Sequence, residues 1–385
     1  MWRRILPPPP KGPARPGKKV PPIRPANGPS PIELSILEPV SSRDRAQAEA
    51  RNVEAYFNRD TDHFEYVRYL SNGAAGVSCK VRLKSDGDGQ GSLYFVVKRP
   101  ISQGQGRGMR AEANFLKSFR GDLHFLQLFY FPVDVNNPIE GAPGTTIITE
   151  WIENGTIFDL IQRKRGGQLP NRMLLEFFLC LASFCIGMAW PSRGDSGAVP
   201  QQERIPDNDD ERKQTARIAH NDMHCANVMI GSLDPEGKRH FLVPILKLID
   251  FDLAGVEDNA VARNIYDIGM VMRSIITGDI TQIPGPAELV TIKVGENSPD
   301  RTFRTRGSDM TPARYNNLDK EIGNLVQWCM AYDERDRPSI ENLWAALEEL
   351  KTRATPGRYA DYVNAINEGD NGIREVVQQL ILDAN

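Results

Sequence analysis

Cysteine is scarce in this 385-residue chain, and the five present, Cys79, Cys180, Cys185, Cys225 and Cys329, are odd in number and form no C-x-x-C pair. Neither a disulfide framework nor a short-spaced zinc motif is indicated, and a reducing intracellular setting, cytoplasmic or nuclear, is expected. Acidic residues are missing up to Pro31, a stretch that carries seven Lys/Arg. The rest of the chain holds 40 basic against 50 acidic residues, a balance of −10 inside the overall −3. An acidic body argues against a nucleic-acid-binding surface. Long apolar runs are lacking as well. The start, Met1–Leu6, meets four prolines at once, which leaves no room for the apolar core of a signal peptide. The run Met173–Trp190 is interrupted by Glu176 and reads as a buried core helix rather than a membrane span.

Proline, by contrast, is abundant at the start, with eleven before Ile32. Residues 1–40 cannot bury enough surface to fold and are expected to form a disordered basic arm. Pro7–Pro10 and Pro22–Pro25 either offer polyproline II ligands to an SH3/WW-type partner or belong to a plain solvated tail. Within 41–63, the Ala- and charge-rich stretch Ser41–Asn58 predicts a leading helix.

Phe64–Leu70, Val77–Leu83, Leu93–Lys98, Phe125–Val133 and Thr146–Trp151 predict a five-stranded antiparallel sheet, with a helix over Met109–Phe119. The turn Leu70–Gly76 contains Gly73 and Gly76, where a missing Cβ lets backbone N–H groups approach phosphates, although ordinary hairpins use the same residues. Lys98, flanked by Val97 on a strand, is suited to neutralise phosphate oxygens in a cleft. Gly104–Gly108 reads as a mobile entry to the helix. Beyond Trp151 the pattern turns helical, at Ile157–Arg163 and Leu169–Trp190, and the polar segment 192–216 is expected to be a disordered insertion.

The chain is organised around two stretches, Ile218–Ile230 (I-A-H-N-D-M-H-C-A-N-V-M-I) and Leu246–Ala254 (L-K-L-I-D-F-D-L-A). Asp222 and Asn227 can aim into one cleft from a compact loop, and Asp250 ends a buried strand. One carboxylate can take a proton while an amide and a second carboxylate hold a hard cation such as Mg²⁺. The chemistry this suggests is phosphoryl transfer.

The two stretches resemble the catalytic loop and metal-binding motif of eukaryotic-type protein kinases, H-R-D-x-x-x-x-N and D-F-G, as His220-Asn221-Asp222, Asn227 and Asp250-Phe251-Asp252. Val96-Val97-Lys98, Asn264–Gly269 and Arg337-Pro338-Ser339 extend the resemblance over about Phe64 to Leu350. It implies an α+β, bilobal protein kinase-like fold: an antiparallel five-stranded N-lobe with one helix (64–152) and a mainly helical C-lobe (153–350). Beyond the resemblance, the tail (351–385) is expected to be helical over Tyr359–Leu382 and to pack or dimerise. The resemblance implies ATP and Mg²⁺ as cofactors, with Gly73, Gly76 and Lys98 on the phosphates and Glu112 holding Lys98. Glu150 and Ile152 would form the adenine hinge behind Thr149, Asp222 would act as base with His224 nearby, and Asn227 and Asp250 would hold metal. The activity implied is transfer of the ATP γ-phosphate to a hydroxyl of a protein substrate, serine or threonine ahead of tyrosine.

The departures from that pattern carry expectations of their own. Asn221 replaces the arginine that reads a phosphorylated activation segment, and Phe251–Ile265 contains no Ser, Thr or Tyr, so activity should not need phosphorylation there. No A-P-E motif precedes Asn264, which stands where aspartate is usual; Glu257 is the nearest partner for Arg337. His224 replaces a lysine, as in small-molecule kinases of the aminoglycoside and choline type, and a histidine is only partly charged near neutral pH. Asp252 replaces the glycine of D-F-G and should restrict backbone flipping. A small-molecule kinase and a nucleotide-binding scaffold without transfer activity are the alternative readings.

Overall fold

The computed structural model describes residues 41–73, 76–84, 93–130, 146–195, 199–235, 239–281, 283–295 and 298–384. The arm 1–40 and the turn 85–91 lie outside them. The chain is α+β. Helix α1 (Ser42–Phe57) starts where the Ser41 hydroxyl accepts the Asp44 N–H at 3.1 Å, and it buries Ala46, Ala50, Val53 and Phe57 along one face. That spacing of about one turn per apolar residue predicts a single buried stripe. The stripe lies on a sheet of five strands, β1 (Phe64–Gly73), β2 (Gly76–Leu83), β3 (Leu93–Arg99), β4 (Leu128–Tyr130) and β5 (Ile147–Glu150), all paired antiparallel in the order β1-β2-β3-β5-β4.

Strand alternation sends Val77, Cys79, Val81, Phe95 and Val97 into one apolar cluster with Val53 and Phe57 of α1. Lys98 consequently points the other way. The neighbouring Arg99 is fully buried against Glu49 of α1 and donates to Thr146 Oγ1 at 2.9 Å. Both β3 and β5 have neighbours on each side, so neither Lys98 nor the Thr149–Glu150 segment sits on an edge strand. Helix α2 spans Gln103–Ser118, six residues earlier than the sequence pattern suggests, so Gly104–Gly108 is helix rather than a mobile lead.

A second, larger apolar cluster fills the rest of the chain. Helix α3 (Ile157–Arg163) opens with a reciprocal cap between Thr156 and Asp159. Helix α4 (Asn171–Ala189) is long and apolar enough to cross a membrane, yet nearly all of its side chains are buried inside the protein. A single turn, α5 (Asp209–Arg212), follows, then short strands β6 (Ile218–Ala219), β7 (Val228–Ile230), β8 (Leu246–Leu248) and β9 (Gly255–Val256). β7 pairs with β8 and β6 with β9. Helix α6 (Ala260–Thr277) ends at Gly278 in the left-handed conformation. A hairpin, β10 (Glu288–Ile292) with β11 (Arg301–Thr305), separates it from α7 (Lys320–Cys329) and α8 (Ile340–Arg353); no element is foreseen there from the sequence.

Two further sequence expectations differ from the structure. The segment 192–216 is packed among its described residues: Gln201 exchanges backbone hydrogen bonds with Gly121 and Leu123 at 2.8 and 2.9 Å, and Glu203 is buried. Its extended backbone pairs with the loop after α2, a kind of order that leaves no apolar period in the sequence. The tail is not one helix over Tyr359–Leu382. It runs through two 3₁₀ turns before α9 (Asp370–Val377), and Glu368, the last residue of the second turn, accepts the Asn171 and Arg172 N–H groups at 2.6 and 3.1 Å. The tail thereby caps α4, whose own N-cap, Pro170, supplies no side-chain acceptor.

Candidate functional site

Three elements meet around Lys98. Its Nζ donates to Glu112 Oε2 and Oε1 at 2.8 and 2.9 Å and to Asp250 Oδ1 at 3.2 Å. Glu112 lies between the buried Met109, Ala113 and Leu116 of α2 and is only 2% exposed. Burial works against the charge on Lys98, but the Glu112 and Asp250 carboxylates raise its pKa, so the ammonium is retained. Asp250 follows β8 with φ +65°, a left-handed conformation that aspartate tolerates better than most residues.

The loop between β6 and β7 forms the facing wall. Asn227 Nδ2 donates to the Asp222 carbonyl at 2.9 Å and to Asp222 Oδ2 at 3.0 Å, which aims the carboxylate and leaves the amide oxygen of Asn227 for another partner. His224 caps the short 3₁₀ turn Cys225–Asn227 by accepting the Ala226 N–H at Nδ1, and its Nε2 lies 3.5 Å from Asp222 Oδ2. Below them His220 is fully buried. Burial pushes its ring down to about 4, so it is neutral at pH 7. The geometry fixes the tautomer: Nε2–H donates to the Ile249 carbonyl at 2.9 Å, and Nδ1 accepts the Asp222 N–H at 3.3 Å.

Asn264 holds this loop from α6. Its Oδ1 accepts the His220 N–H at 3.2 Å and its Nδ2 donates to the Ile218 carbonyl at 2.8 Å. Phe251 is fully buried and packs on His220, Phe119 and Phe125 with centroids 4.8, 4.9 and 6.0 Å away. Burial and the neighbouring Asp250 both raise the Asp252 carboxyl. Asp222, Asp250 and Asp252 thus set several carboxylates against one lysine, an arrangement that favours an added cation.

Asn221, with φ +65°, reaches past Asp250: its Nδ2 donates to the Leu253 carbonyl at 3.2 Å and to Glu257 Oε1 at 2.7 Å. Glu257 also pairs with Arg263 at 3.1 Å. The expected pairing of Glu257 with Arg337 is therefore not formed. Arg337 donates instead to the Ala331 and Ala262 carbonyls at 3.0 and 2.9 Å and lies over the Tyr266 ring.

The remaining candidates sit farther along the sheet. Gly73 and Gly76 are the last paired residues of the β1–β2 hairpin. Gly76 has φ +134°, and a Cβ there would lie 2.0 Å from the Arg99 carbonyl oxygen, so contact with β3 is enough to require glycine. Thr149 Oγ1 donates to the Glu150 carbonyl at 3.3 Å. The Glu150 carboxylate accepts Lys247 Nζ at 2.6 Å and the Gln127 N–H at 2.9 Å, while the Ile152 side chain is buried. A cavity opens beside this segment, lined by Glu150, Ile152, Asp234, His240 and Lys247 among others, and not over Asp222. Sequence reasoning singles out Lys98, Glu112, Asp222, Asn227 and Asp250, but misses the supporting parts played by His220, Asn264 and Lys247. Each acts through a backbone carbonyl or a side chain distant in sequence. No protein-family model matches the chain.

Proposed function

We propose that the chain is an ATP-dependent phosphotransferase with a bilobal, protein kinase-like architecture, acting on a hydroxyl of a protein substrate. The observation that carries the reading is Lys98 held between Glu112 and Asp250 while Asn227 aims the Asp222 carboxylate. The donor set fits Mg²⁺, because Asp250 and the amide oxygen of Asn227 are hard oxygen ligands and the surrounding carboxylates outnumber Lys98. Bound with ATP, the cation would supply charge neutralisation for the transferring phosphoryl group. Lys98 would hold phosphate oxygens, its position set by Glu112. Asp222 would accept or orient the proton of the attacking hydroxyl, with His224 able to share that proton at 3.5 Å.

A second reading, a small-molecule kinase, is favoured by His224 beside Asp222 and by the brevity of the segment from Asp250 to the start of α6 at Ala260. That segment is tied down by Asn221 and leaves little backbone on which a peptide could lie. Radiolabelled ATP with Mg²⁺, offered to generic proteins and to small alcohols, separates the two. Asp222→Asn should lower turnover by at least ~10²-fold while the thermal shift with ATP and Mg²⁺ survives. Binding without transfer to any acceptor would favour a scaffold, and no thermal shift at all in the unaltered protein would overturn the nucleotide reading.

A further inference from the structure

Four segments far apart in sequence meet on the side of β8 away from the Asp222 loop. The loop after α2 brings His124, α4 brings Cys180, the segment before α5 brings Glu203, and the β7–β8 connection brings His240. None of the four is more than 7% exposed. One ligand atom each from His124, Cys180 and His240 lies within 4.8 Å of the other two, and the two rings stand 5.3 Å apart.

Each side chain is presented in the form a metal requires. Glu203 Oε1 accepts the His124 N–H at 2.7 Å and Oε2 accepts Nδ1–H at 2.6 Å, which orients the ring and frees Nε2 as a ligand. Among the described residues, neither ring nitrogen of the buried His240 has a hydrogen-bond partner. The Val243 backbone polarises this ring and burial disfavours its charged form, so a lone pair is left for a ligand. A buried imidazole with nothing to bind is costly, and a metal ion is one partner that satisfies it. Cys180 lies against His124 and adds a soft sulfur ligand.

We propose that His124, Cys180 and His240, with Glu203 behind His124, form a zinc site that staples the segment before α5 and the β7–β8 connection to α4. Two nitrogens and one thiolate suit Zn²⁺ and exclude Mg²⁺ and Ca²⁺, which need oxygen. The fourth tetrahedral position is left to water, and the cavity that His240 lines gives the ion a way in. Charge balances: the Cys180 thiolate and the Glu203 carboxylate offset the 2+ ion.

The site is independent of the phosphotransfer reading, and its tests touch no residue of that machinery. The full chain, stripped with chelator and titrated with Zn²⁺ alone, should bind one equivalent and melt several degrees higher. Co²⁺ in its place should give a thiolate-to-metal charge-transfer band. Cys180→Ser should lose that band, whereas Cys185→Ser, on the same helix but outside the cluster, should keep it. If Cys180→Ser fails to fold, Glu203→Gln serves instead and should weaken zinc binding by about 10- to 100-fold. No melting shift with zinc and no cobalt band in the unaltered chain, a band that survives Cys180→Ser, or unchanged affinity in Glu203→Gln would each overturn the assignment.

Discussion

Replacing Asn264 by aspartate is expected to destabilise the protein, and to do so more as the pH rises. Asn264 is 1% exposed and works in two directions, accepting the His220 N–H at 3.2 Å and donating to the Ile218 carbonyl at 2.8 Å. A carboxylate can keep the first bond. The second becomes a contact between two acceptors, sealed from water, unless the new side chain keeps its proton and donates through it. Retaining that proton costs about 1.4 kcal/mol for every pH unit above the ordinary carboxyl value of about 3.9, hence about 1–2 kcal/mol at pH 5 and about 5–6 kcal/mol at pH 8. Ionising instead strands a buried charge and an unmet carbonyl, at about 3–5 kcal/mol. The protein takes the cheaper course, so the loss should be about 1–2 kcal/mol at pH 5 and about 3–5 kcal/mol at pH 8.

The sign follows from the folded pKa of the introduced aspartate lying above its unfolded value. The unfolded chain gives up its proton first, and stability relative to the parent falls as pH rises through the interval between the two. Urea unfolding of Asn264→Asp and the parent at pH 5, 6, 7 and 8 measures the difference directly. Equal stability at pH 8 would refute the two-way role of Asn264 and with it the account of how the Asp222 loop is held.

His220 gives a pH dependence of the opposite sign: held neutral down to about pH 4, it should cost the fold about 1.4 kcal/mol per unit as pH falls from about 6.5 toward 4. Asp122 and Asp267, both raised to about 7, oppose that slope, so the quantity to measure is the difference in urea midpoint between the parent and His220→Gln, which should close on acidification. Gly76→Ala should cost more than about 2 kcal/mol because its Cβ would meet the Arg99 carbonyl; an unchanged urea midpoint would return Gly76 to a purely ligand-binding explanation. Glu368→Ala should lose about 2–4 kcal/mol by leaving the Asn171 and Arg172 N–H groups of α4 without their acceptor, and a calorimetric melting point equal to the parent's would show that the tail does not cap that helix.

How much of this was legible in the sequence depends on the range over which each interaction acts. The five strands and the helices α1, α3 and α4 write themselves in local apolar periods, and Asp222, Asn227 and Asp250 stand beside short apolar runs. Lys98 and Glu112 are only 14 residues apart across one turn. What could not be read is carried by polar contacts between distant segments. Glu203 meets His124 across 79 positions and Asn171 meets Glu368 across 197, so the segments bearing Glu203 and Glu368 look like a loop and a simple helical tail. Counting C-x-x-C pairs likewise has no access to Cys180, whose neighbours His124 and His240 lie on other elements. The β10–β11 hairpin is missed for a different reason: its exposed strands carry a weak apolar alternation.

These long-range contacts converge on one short piece of backbone. Asp250 holds a left-handed conformation that costs a non-glycine residue about 1–3 kcal/mol, and such a residue persists only where its surroundings over-determine it. Here they do so from both sides. The Leu248 N–H donates to the His124 carbonyl at 2.9 Å, and the Ile249 N–H donates to the Asn227 carbonyl at 3.0 Å. The Ile249 carbonyl accepts from His220, and Phe251 is fixed among Phe119, Phe125 and His220. The candidate cation ligand Asp250 is therefore flanked by residues whose positions are set by two buried histidines. His220 acts from the side of the Asp222 loop, and His124 acts from the side of the proposed zinc site. A rigid carboxylate is what a hard cation needs. It follows that a metal at His124, although it touches none of Lys98, Asp222 or Asp250, would stiffen the strand that presents Asp250, and that the two sites meet mechanically in β8.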